Sequence, residues 1–464
     1  MDTPSLQFLG AAGTVTGSKH LVRTRCGDFL IDSGLFQGFK ELRDRNRQPP
    51  RFQPEKLGAV VLTHAHIDHS GYLPLLAKRG FSGPVFCTPA TADLLGVLLR
   101  DAAHLQEEEA SHANLYGWSR HKPALPLYTT AHAEQALKLL VPRPYGERFD
   151  VLTGTTCTYR RAGHILGSAT VELRIGTEPE TTLVGSGDLG RWGRPILRDP
   201  EPVPHADVLL IESTYGDRVH APDAAQALAR VIDRVVANQG VLVVPAFAVG
   251  RTQELIWTLR QLEDAGRIPS LPVYIDSPMA INVTDIYCRY PEDHDLDMKL
   301  LMDEKRCPLC CKQYHLARTA TESKALNGRG GPLVIISASG MATGGRVLHH
   351  LKERLPDEKT TVLLPGYQTP GTRGRALQDG VRSVRIHGEN VPVRARIETV
   401  DGLSAHADRN EIFRWLQAFK TPPRKTYVIH GEPHAAEALA GGIRADLRWN
   451  VEVARDGGTV SLTA

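Results

Sequence analysis

The sequence contains the stretch Thr63-His64-Ala65-His66-Ile67-Asp68-His69-Ser70, in which four potential metal ligands fall within six residues. The apolar run Ala59–Leu62 before this stretch is typical of a short buried strand. The run Tyr72–Leu76 after it predicts the start of a helix. The ligands therefore lie on a turn at the carboxyl end of a strand, where open α/β sheets place their active sites.

The spacing of these ligands indicates a site for two metal ions. His64 and His66 are two residues apart and point the same way from an extended segment, whereas Asp68 and His69 are adjacent and point elsewhere. Two-ion sites hold their ions about 3.5–4 Å apart, and one turn can present two ligands to each. Imidazole with carboxylate favours Zn²⁺ over iron or manganese. The alternative, a histidine-rich surface turn without metal, is disfavoured by the preceding strand and the adjoining Asp68-His69 pair.

Length and composition indicate an ordinary globular protein of two or three domains. The 464 residues are 41% hydrophobic and 23% charged, and the net charge is only +3. Any nucleic-acid surface must therefore be local and built from arginine clusters. The start of the chain lacks the layout of a signal peptide, and no apolar stretch is long enough to span a bilayer. We therefore expect a cytoplasmic protein with no membrane contact.

The cysteines indicate a reduced, intracellular chain, because they are odd in number and scattered. The seven are Cys26, Cys87, Cys157, Cys288, Cys307, Cys310 and Cys311. The Cys307-Pro-Leu-Cys310-Cys311 stretch is either half of a zinc knuckle or a group of local thiols. No second cysteine pair completes a knuckle, which favours the thiols.

Further polar residues follow predicted strands. Asp32 follows Phe29-Leu30-Ile31 and is either a partner that orients a ligand histidine or an ordinary turn aspartate. His164 lies between glycines, and Asp188 lies in a glycine-rich turn after a strand. Glu212 ends another apolar strand. Taken with the histidine turn, His164 supplies a missing third ligand, and Asp188 could bridge two metals.

The pattern changes after about residue 217 to alternating helices and strands. The predicted elements are a helix at Ala224–Asn238, a strand at Val241–Pro245, a helix at Thr252–Gly266 and a strand at Val273–Ile275. This alternation predicts a separate α/β domain with a parallel sheet.

Two segments of this region resemble anion-binding turns that lead from a strand into a helix. One is Ala246–Thr252, with Arg251, and the other is Ser337–Arg346, with Ser337, Ser339 and Gly340. Free N–H groups at a helix amino terminus favour phosphate, although glycine-containing helix caps explain the same pattern. Arg373 lies in a stretch, 365–375, with the composition of a linker, and is suited to bind an anion.

In this order, the motifs resemble those of the metallo-β-lactamase superfamily and, within it, of the β-CASP ribonucleases. These are related to bacterial RNA-degrading nucleases and to the 3′-end pre-mRNA cleavage endonuclease. The resemblance covers nearly the whole chain. The matching motifs are Asp32, His64-x-His66-x-Asp68-His69, His164, Asp188, Glu212, His406 in Ser404-Ala-His-Ala-Asp408, and His430 in His-Gly-Glu432.

The resemblance implies an α/β fold, with a metallo-β-lactamase αββα sandwich interrupted by an inserted α/β β-CASP domain whose parallel sheet is flanked by helices. The implied domain limits are 1–206 for the amino-terminal part of the sandwich, 207–371 for the insert and 372–464 for the carboxyl-terminal part.

The resemblance also implies roles for the site residues. Two Zn²⁺ ions per chain are expected, one held by His64, His66 and His164 and the other by Asp68, His69 and His430. Asp188 is expected to bind both ions, and Asp32 to orient a ligand from behind. The implied catalytic residues are Asp68, Asp188, His406 as general acid and Glu212 as its hydrogen-bond partner.

The implied activity is hydrolysis of RNA phosphodiester bonds by metal-activated water, giving 5′-phosphate and 3′-hydroxyl ends. The partner is then single-stranded RNA, and a homodimer is possible. The residues expected at RNA phosphates are Arg251, Ser337, Ser339, Gly340, Arg373 and Ser404. The alternatives are a thioesterase or lactonase, which leaves the insert and His406 without a role, and an inactive RNA-binding scaffold, which typically loses ligands. Endonuclease and 5′-exonuclease action both stay open.

Overall fold

The computed structural model describes residues 3–117, 121–176, 180–304 and 308–463. Cys307, discussed above, lies outside these ranges. The strands within them are β1 (Ser5–Phe8), β2 (His20–Thr24), β3 (Gly27–Ile31), β4 (Leu57–Val61), β5 (Val85–Cys87), β6 (Leu140–Pro142), β7 (Arg148–Leu152), β8 (Thr155–Arg161), β9 (Ala169–Ile175), β10 (Thr181–Gly185), β11 (Val208–Glu212), β12 (Val241–Pro245), β13 (Pro272–Ile275), β14 (Gln313–Leu316), β15 (Leu333–Ser337), β16 (Thr361–Leu364), β17 (Ser383–Ile386), β18 (Glu389–Pro392), β19 (Arg396–Thr399), β20 (Lys425–Ile429), β21 (Val451–Val453) and β22 (Thr459–Ser461).

The α-helices in the same ranges are α1 (Lys40–Arg45), α2 (Ile67–Ser70), α3 (Leu73–Lys78), α4 (Pro89–Leu115), α5 (Thr130–Leu137), α6 (Ala224–Ala237), α7 (Arg251–Asp264), α8 (Pro278–Tyr287), α9 (Leu296–Asp303), α10 (Ala320–Asn327), α11 (Val347–Arg354), α12 (Arg373–Gln378), α13 (Arg409–Leu416) and α14 (Pro433–Gly442). The α/β fold class predicted from the sequence is confirmed. None of these helices combines the length and the apolar content needed to cross a membrane.

The chain divides into two compact units. The first contains Met1–Gly193, Arg198–Val219 and His406–Ala464, and the second contains Arg194–Leu197 and His220–Ala405. The main segment of the second unit begins at His220 and not at 207, because β11 pairs with β10 and β20 of the first unit. It also continues past 371, because β19 pairs with β16 in the same sheet.

Two seven-stranded sheets form the first unit. Their strand orders are β22-β1-β2-β3-β4-β5-β6 and β21-β20-β11-β10-β9-β8-β7. A core of apolar side chains from both sheets, such as Phe29, Val61, Val171 and Leu210, is buried as one cluster. Helices α13 and α14 cover the second sheet, where Trp415 and Leu439 pack with Ile211. This arrangement brings the carboxyl ends of β4, β10, β11 and β20 into the same unit, and each is followed by residues of the site described below.

The second unit is built on a six-stranded parallel sheet in the order β14-β13-β15-β12-β16-β19. Its central strands β12 and β15 are buried along their whole length, as expected for a parallel sheet covered on both faces. Helix α11 and the antiparallel hairpin β17–β18 contribute to a second core through Val347, Leu351, Ile386 and Val391. The predicted alternation of helices and parallel strands is confirmed here.

Candidate metal centre

The turn after β4 carries the potential metal ligands His64, His66, Asp68 and His69, and hydrogen bonds fix the backbone of this turn. The hydroxyl of Ser70 donates to the carbonyls of Ala65 and His66 at 2.9 and 3.0 Å. The backbone N–H of Ser18 donates to the carbonyl of Asp68 at 2.8 Å. At Gly34 an added Cβ would lie 1.5 Å from that same carbonyl oxygen, so only glycine allows this approach.

One group of potential ligands contains three histidines and a carboxylate. Each of His64, His66, His164 and Asp188 offers one donor atom, and these atoms lie within 4.8 Å of one another. His66 Nδ1 is 3.1 Å from His64 Nε2 and 3.2 Å from His164 Nε2. The loop of His164 is held by Ser168, whose hydroxyl accepts the His164 backbone N–H at 3.0 Å.

A second group combines residues from the two ends of the chain. The donor atoms of Asp68, His69 and His430 also lie within 4.8 Å of one another. His69 Nε2 and His430 Nε2 are 3.0 Å apart, although 361 positions separate these residues in the sequence. His430 follows β20 directly and has a φ of +49°, a conformation that costs energy for a residue with a Cβ.

Asp188 contacts both groups, one through each carboxylate oxygen. Oδ2 lies 3.5 Å from His64 Nε2 and 3.6 Å from His164 Nε2. Oδ1 lies 3.2 Å from His69 Nε2 and 3.5 Å from His430 Nδ1. A single buried carboxylate therefore faces two sets of imidazole nitrogens.

The convergence of these nitrogens fits a metal ion better than a hydrogen-bond network. An imidazole nitrogen has either one lone pair or one N–H. His66 Nδ1 can therefore form a hydrogen bond with only one of the two nitrogens beside it. Two nitrogens bound to one tetrahedral zinc at 2.0–2.1 Å are about 3.3–3.4 Å apart, close to the separations at His66. The chemistry of the donor set, imidazole with carboxylate, also suits zinc.

The histidines of the first group are available as neutral ligands. Burial lowers the pKa of His64 and of His164 well below the usual value, and it lowers the pKa of His66 to about 4. Burial also opposes the charged form of His69, but the carboxylates of Asp188 and Asp32 outweigh it and raise the pKa of that residue. A cation bound at His69 Nε2 would replace this proton.

Asp32 is the carboxylate that holds His69 and the turn from behind. Its Oδ2 lies 2.7 Å from His69 Nδ1 and accepts from the Ser18 hydroxyl at 3.2 Å. Its Oδ1 accepts the backbone N–H of Thr63 at 2.8 Å. With His69 Nδ1–H donating to this buried carboxylate, Nε2 is the ring atom that faces Asp188 and His430.

A third group lies on the other side of Asp188. The donor atoms of Asp188, Glu212 and His406 are within 4.8 Å of one another. His406 Nδ1 is 3.1 Å from Glu212 Oε1, and its Nε2 is 3.9 Å from Asp188 Oδ2. Burial opposes protonation of His406, but Glu212 and Asp188 outweigh it, so the pKa of His406 is raised.

Comparison with known proteins places this site in a family. A family model for the Beta-Casp domain matches residues 252–377, one for the Metallo-beta-lactamase superfamily matches 15–108, and one for the Zn-dependent metallo-hydrolase RNA specificity domain matches 390–454. The chain is 37% identical over 450 residues to Ribonuclease TTHA0252 of Thermus thermophilus, with 97% of each protein aligned. The chain belongs to the β-CASP ribonucleases of the metallo-β-lactamase superfamily.

Other similar proteins extend over most of this β-CASP chain. Transcription termination factor FttA of Methanocaldococcus jannaschii is 32% identical over 451 residues, which are 95% of this chain and 68% of that protein. FttA of Methanosarcina mazei is 31% identical over 457 residues, which are 95% and 69%. A crystal structure of a protein of unknown function from Enterococcus faecalis V583 matches the fold with a TM-score of 0.54 at 13% identity, over 99% of this chain and 100% of that one.

Membership of the β-CASP family confirms the predicted metallo-β-lactamase fold with its β-CASP domain. It also confirms the prediction of a metal-dependent hydrolase of the nuclease class. The histidine and aspartate groups described above are consistent with a metal cofactor. The assignment of individual residues to individual ions stays a prediction.

The residues predicted to contact RNA phosphate differ in their exposure. Arg251, Ser337, Gly340 and Ser404 are buried, whereas Ser339 and Arg373 are partly exposed. The hydroxyl of Ser337 donates to the Asp276 carbonyl at 2.9 Å, and Arg251 Nη1 lies 2.5 Å from a carboxylate oxygen of Glu254. Phosphate contact stays a prediction for all six, and the exposure favours Ser339 and Arg373.

Two threonines that sequence reasoning missed lie against histidines predicted to be ligands in this β-CASP protein. The Thr63 hydroxyl is 3.0 Å from His64 Nδ1, and the Thr214 hydroxyl is 3.1 Å from His430 Nδ1. Thr63 adjoins the histidine turn, so its position was a usable signal. Thr214 lies two residues after Glu212, and its contact depends on a strand pairing 216 positions away.

Proposed function

We propose that this β-CASP ribonuclease hydrolyses phosphodiester bonds of single-stranded RNA with two zinc ions per chain, leaving 5′-phosphate and 3′-hydroxyl ends. The observation that carries the proposal is the position of Asp188, whose two oxygens face two separate ligand groups. A carboxylate shared in this way is the arrangement expected of a two-ion site.

In this proposal His64, His66 and His164 hold one zinc ion, and Asp68, His69 and His430 hold the other. Asp188 binds both, and Asp32 keeps the ring of His69 in the orientation that presents Nε2. The chemistry supplied by bound zinc is the activation of water at neutral pH and the offsetting of charge on the phosphate oxygens.

His406 is the proposed general acid for the departing 3′-oxygen. Its Nδ1 faces Glu212, so its Nε2 is the atom that presents a proton to the substrate. Two backbone N–H groups, of Leu189 and Thr214, donate to the Glu212 carboxylate at 2.8 and 3.1 Å and fix its position. As the phosphorus–oxygen bond breaks, the Nε2 proton passes to the 3′-oxygen, and Glu212 stabilises the orientation of the ring.

RNA is the proposed substrate class because the site occurs together with a region matched by the RNA specificity domain. A similar protein is itself named a ribonuclease. The proposal is tested by incubating the zinc-loaded enzyme with end-labelled, internally labelled and circular single-stranded RNA. We expect cleavage to products with 5′-phosphate ends, and cleavage of the circle would identify an endonuclease.

The same assay separates the rival activities. Faster turnover of thioesters or lactones than of RNA would replace the proposal with a small-molecule hydrolase. A metal content near zero per purified chain, without cleavage, would replace it with an RNA-binding scaffold. Asp150→Ala is a matched control for ligand variants, because Asp150 is an exposed aspartate on β7 of the same unit.

A further inference from the structure

Two exposed histidines of the second unit stack on each other away from any core. His349 lies on α11, and His387 lies at the tip of the β17–β18 hairpin. Their ring centroids are 4.7 Å apart and the ring planes differ by 27°. Both residues are exposed, so the stack leaves aromatic surface open to solvent.

The hairpin holds His387 in an unusual backbone conformation. Residues His387 and Gly388 form the two-residue connection between Ile386 and its strand partner Glu389. Their φ angles are +48° and +84°, and positive φ at both positions is characteristic of a type I′ turn. Asparagine, aspartate or glycine are the usual residues in such turns. A histidine held there at some cost in backbone energy indicates a use for its ring.

Three cations, Lys324, Lys352 and Arg373, and two carboxylates, Asp276 and Glu389, act on the stacked rings, and Lys352 pairs with Glu389 at 2.7 Å. Partial burial lowers the pKa of His349 and of His387, and Lys352 contributes to the lowering at both. Lys324 acts in the same direction on His349, and Arg373 on His387. The lowered pKa favours the neutral form of both rings, which can then stack without mutual repulsion, and the excess of cations over carboxylates around them attracts phosphate.

The guanidinium of Arg373 connects the β17–β18 hairpin to the predicted anion-binding turn Ser337–Arg346 through hydrogen bonds. Arg373 Nε donates to the Arg385 carbonyl of β17 at 2.7 Å, and its Nη1 donates to the Thr343 carbonyl at 3.2 Å. Thr343 in turn is bonded to Ser339, whose hydroxyl accepts the Thr343 backbone N–H at 3.0 Å. The stacked rings and the Ser339 hydroxyl thus belong to one connected piece of surface within the second unit.

We propose that the His349–His387 pair is a stacking platform for a base of bound single-stranded RNA, with the adjoining phosphate directed to the cations beside it. The ligand class is a nucleobase of any identity, because stacking on an aromatic face is tolerant of sequence. This proposal rests on the proposed RNA substrate. The platform adds affinity for longer RNA and takes no part in bond cleavage.

Three variants test the platform while keeping the fold. His387→Asn removes one ring with a residue that suits a type I′ turn. His349→Gln removes the other with a good helix former, and His349→Phe keeps an aromatic ring on α11. Affinity is measured with the zinc-loaded enzyme by fluorescence anisotropy, using a hydrolysis-resistant phosphorothioate RNA of about 12 nucleotides. Hydrolysis of bis(p-nitrophenyl) phosphate, which carries no nucleobase, reports on the metal centre.

We expect His387→Asn and His349→Gln each to weaken RNA binding about tenfold. His349→Phe should bind close to the wild-type value, and all three should hydrolyse the small diester as the wild type does. Wild-type RNA affinity in both ring-removing variants would overturn the platform, as would a loss that His349→Phe shares. Failure of the wild type to bind RNA would overturn the proposed function as well, whereas RNA binding that is insensitive to these variants removes the platform alone.

Discussion

His406 Nδ1 lies 3.1 Å from Oε1 of Glu212, a carboxylate with no solvent exposure. The pair is formed by residues 194 positions apart, and it directs the opposite ring nitrogen toward Asp188. A histidine fixed in this way has one nitrogen committed to orientation and one left for proton transfer. This division of roles is the basis of the first prediction.

His406→Ala is expected to retain bound zinc but to lose RNA cleavage by about 10²–10⁴-fold, the usual contribution of general acid catalysis. Metal content is measured on the purified variant together with the initial cleavage rate. His205→Ala, at an exposed histidine of the same unit, serves as the matched control. Unchanged cleavage in His406→Ala would remove this residue from the mechanism.

Asp188→Ala is expected to lose metal, because both ligand groups lose their common carboxylate. The zinc content per chain is measured after exhaustive dialysis, with Asp150→Ala treated in parallel. We expect the control to keep the wild-type content. Retention of both ions at full occupancy by Asp188→Ala would contradict the bridging role.

Asp32→Asn is expected to weaken zinc binding by about 10–100-fold without abolishing it, the usual effect of a residue that orients a ligand. The variant keeps a side chain of similar size but weakens the charge-assisted contact to His69. Competition with a chelator of known affinity gives the zinc dissociation constant. A dissociation constant equal to that of the wild type would show that Asp32 is an ordinary turn residue.

Lys19 is expected to make the free energy of unfolding depend on pH. Its amine donates to the Gly34 carbonyl at 2.5 Å and lies 4.6 and 4.7 Å from the ring centroids of Phe36 and Tyr72. Burial, with a contribution from Arg45, lowers its pKa from 10.5 to about 7. Between these values the unfolded chain binds a proton that the folded chain does not, so the free energy of unfolding rises with pH in this window.

The variant Lys19→Met is expected to lose the contribution of Lys19 to the pH dependence of the free energy of unfolding. Relative to the variant, the wild type should gain up to about 1.4 kcal/mol of stability per pH unit across the window. Urea denaturation of both proteins at several pH values gives the difference. Lys56→Met, at an exposed lysine of the same unit, should show no such trend, and a pH-independent difference for Lys19→Met would refute the argument.

The sequence predicted those features that depend on local patterns. Spacing and composition alone predict the turn at His64–His69 and the apolar strands Val241–Pro245 and Val273–Ile275. Their identification needs no knowledge of distant residues. Resemblance to a family then supplied the most distant partner of the turn, His430.

Features that depend on distant pairing were not predictable in the same way. The stretch 365–375 has the composition of a linker, yet α12 begins at Arg373, where Thr372 caps the helix by accepting the Arg375 backbone N–H. The predicted insert ends at 371 and leaves out β19, because the pairing of β19 with β16 is not visible in the composition of that strand. The Thr214 contact with His430 was missed for the same physical reason: two strands must first lie side by side.

The parallel pairing of β20 with β11 has a consequence for biosynthesis. His430 enters the site only when β20 takes its place between β11 and β21, and β21 ends at Val453. The residues of the group His64, His66, His164 and Asp188 all precede β20 in the chain, so this group can come together before the group that contains His430.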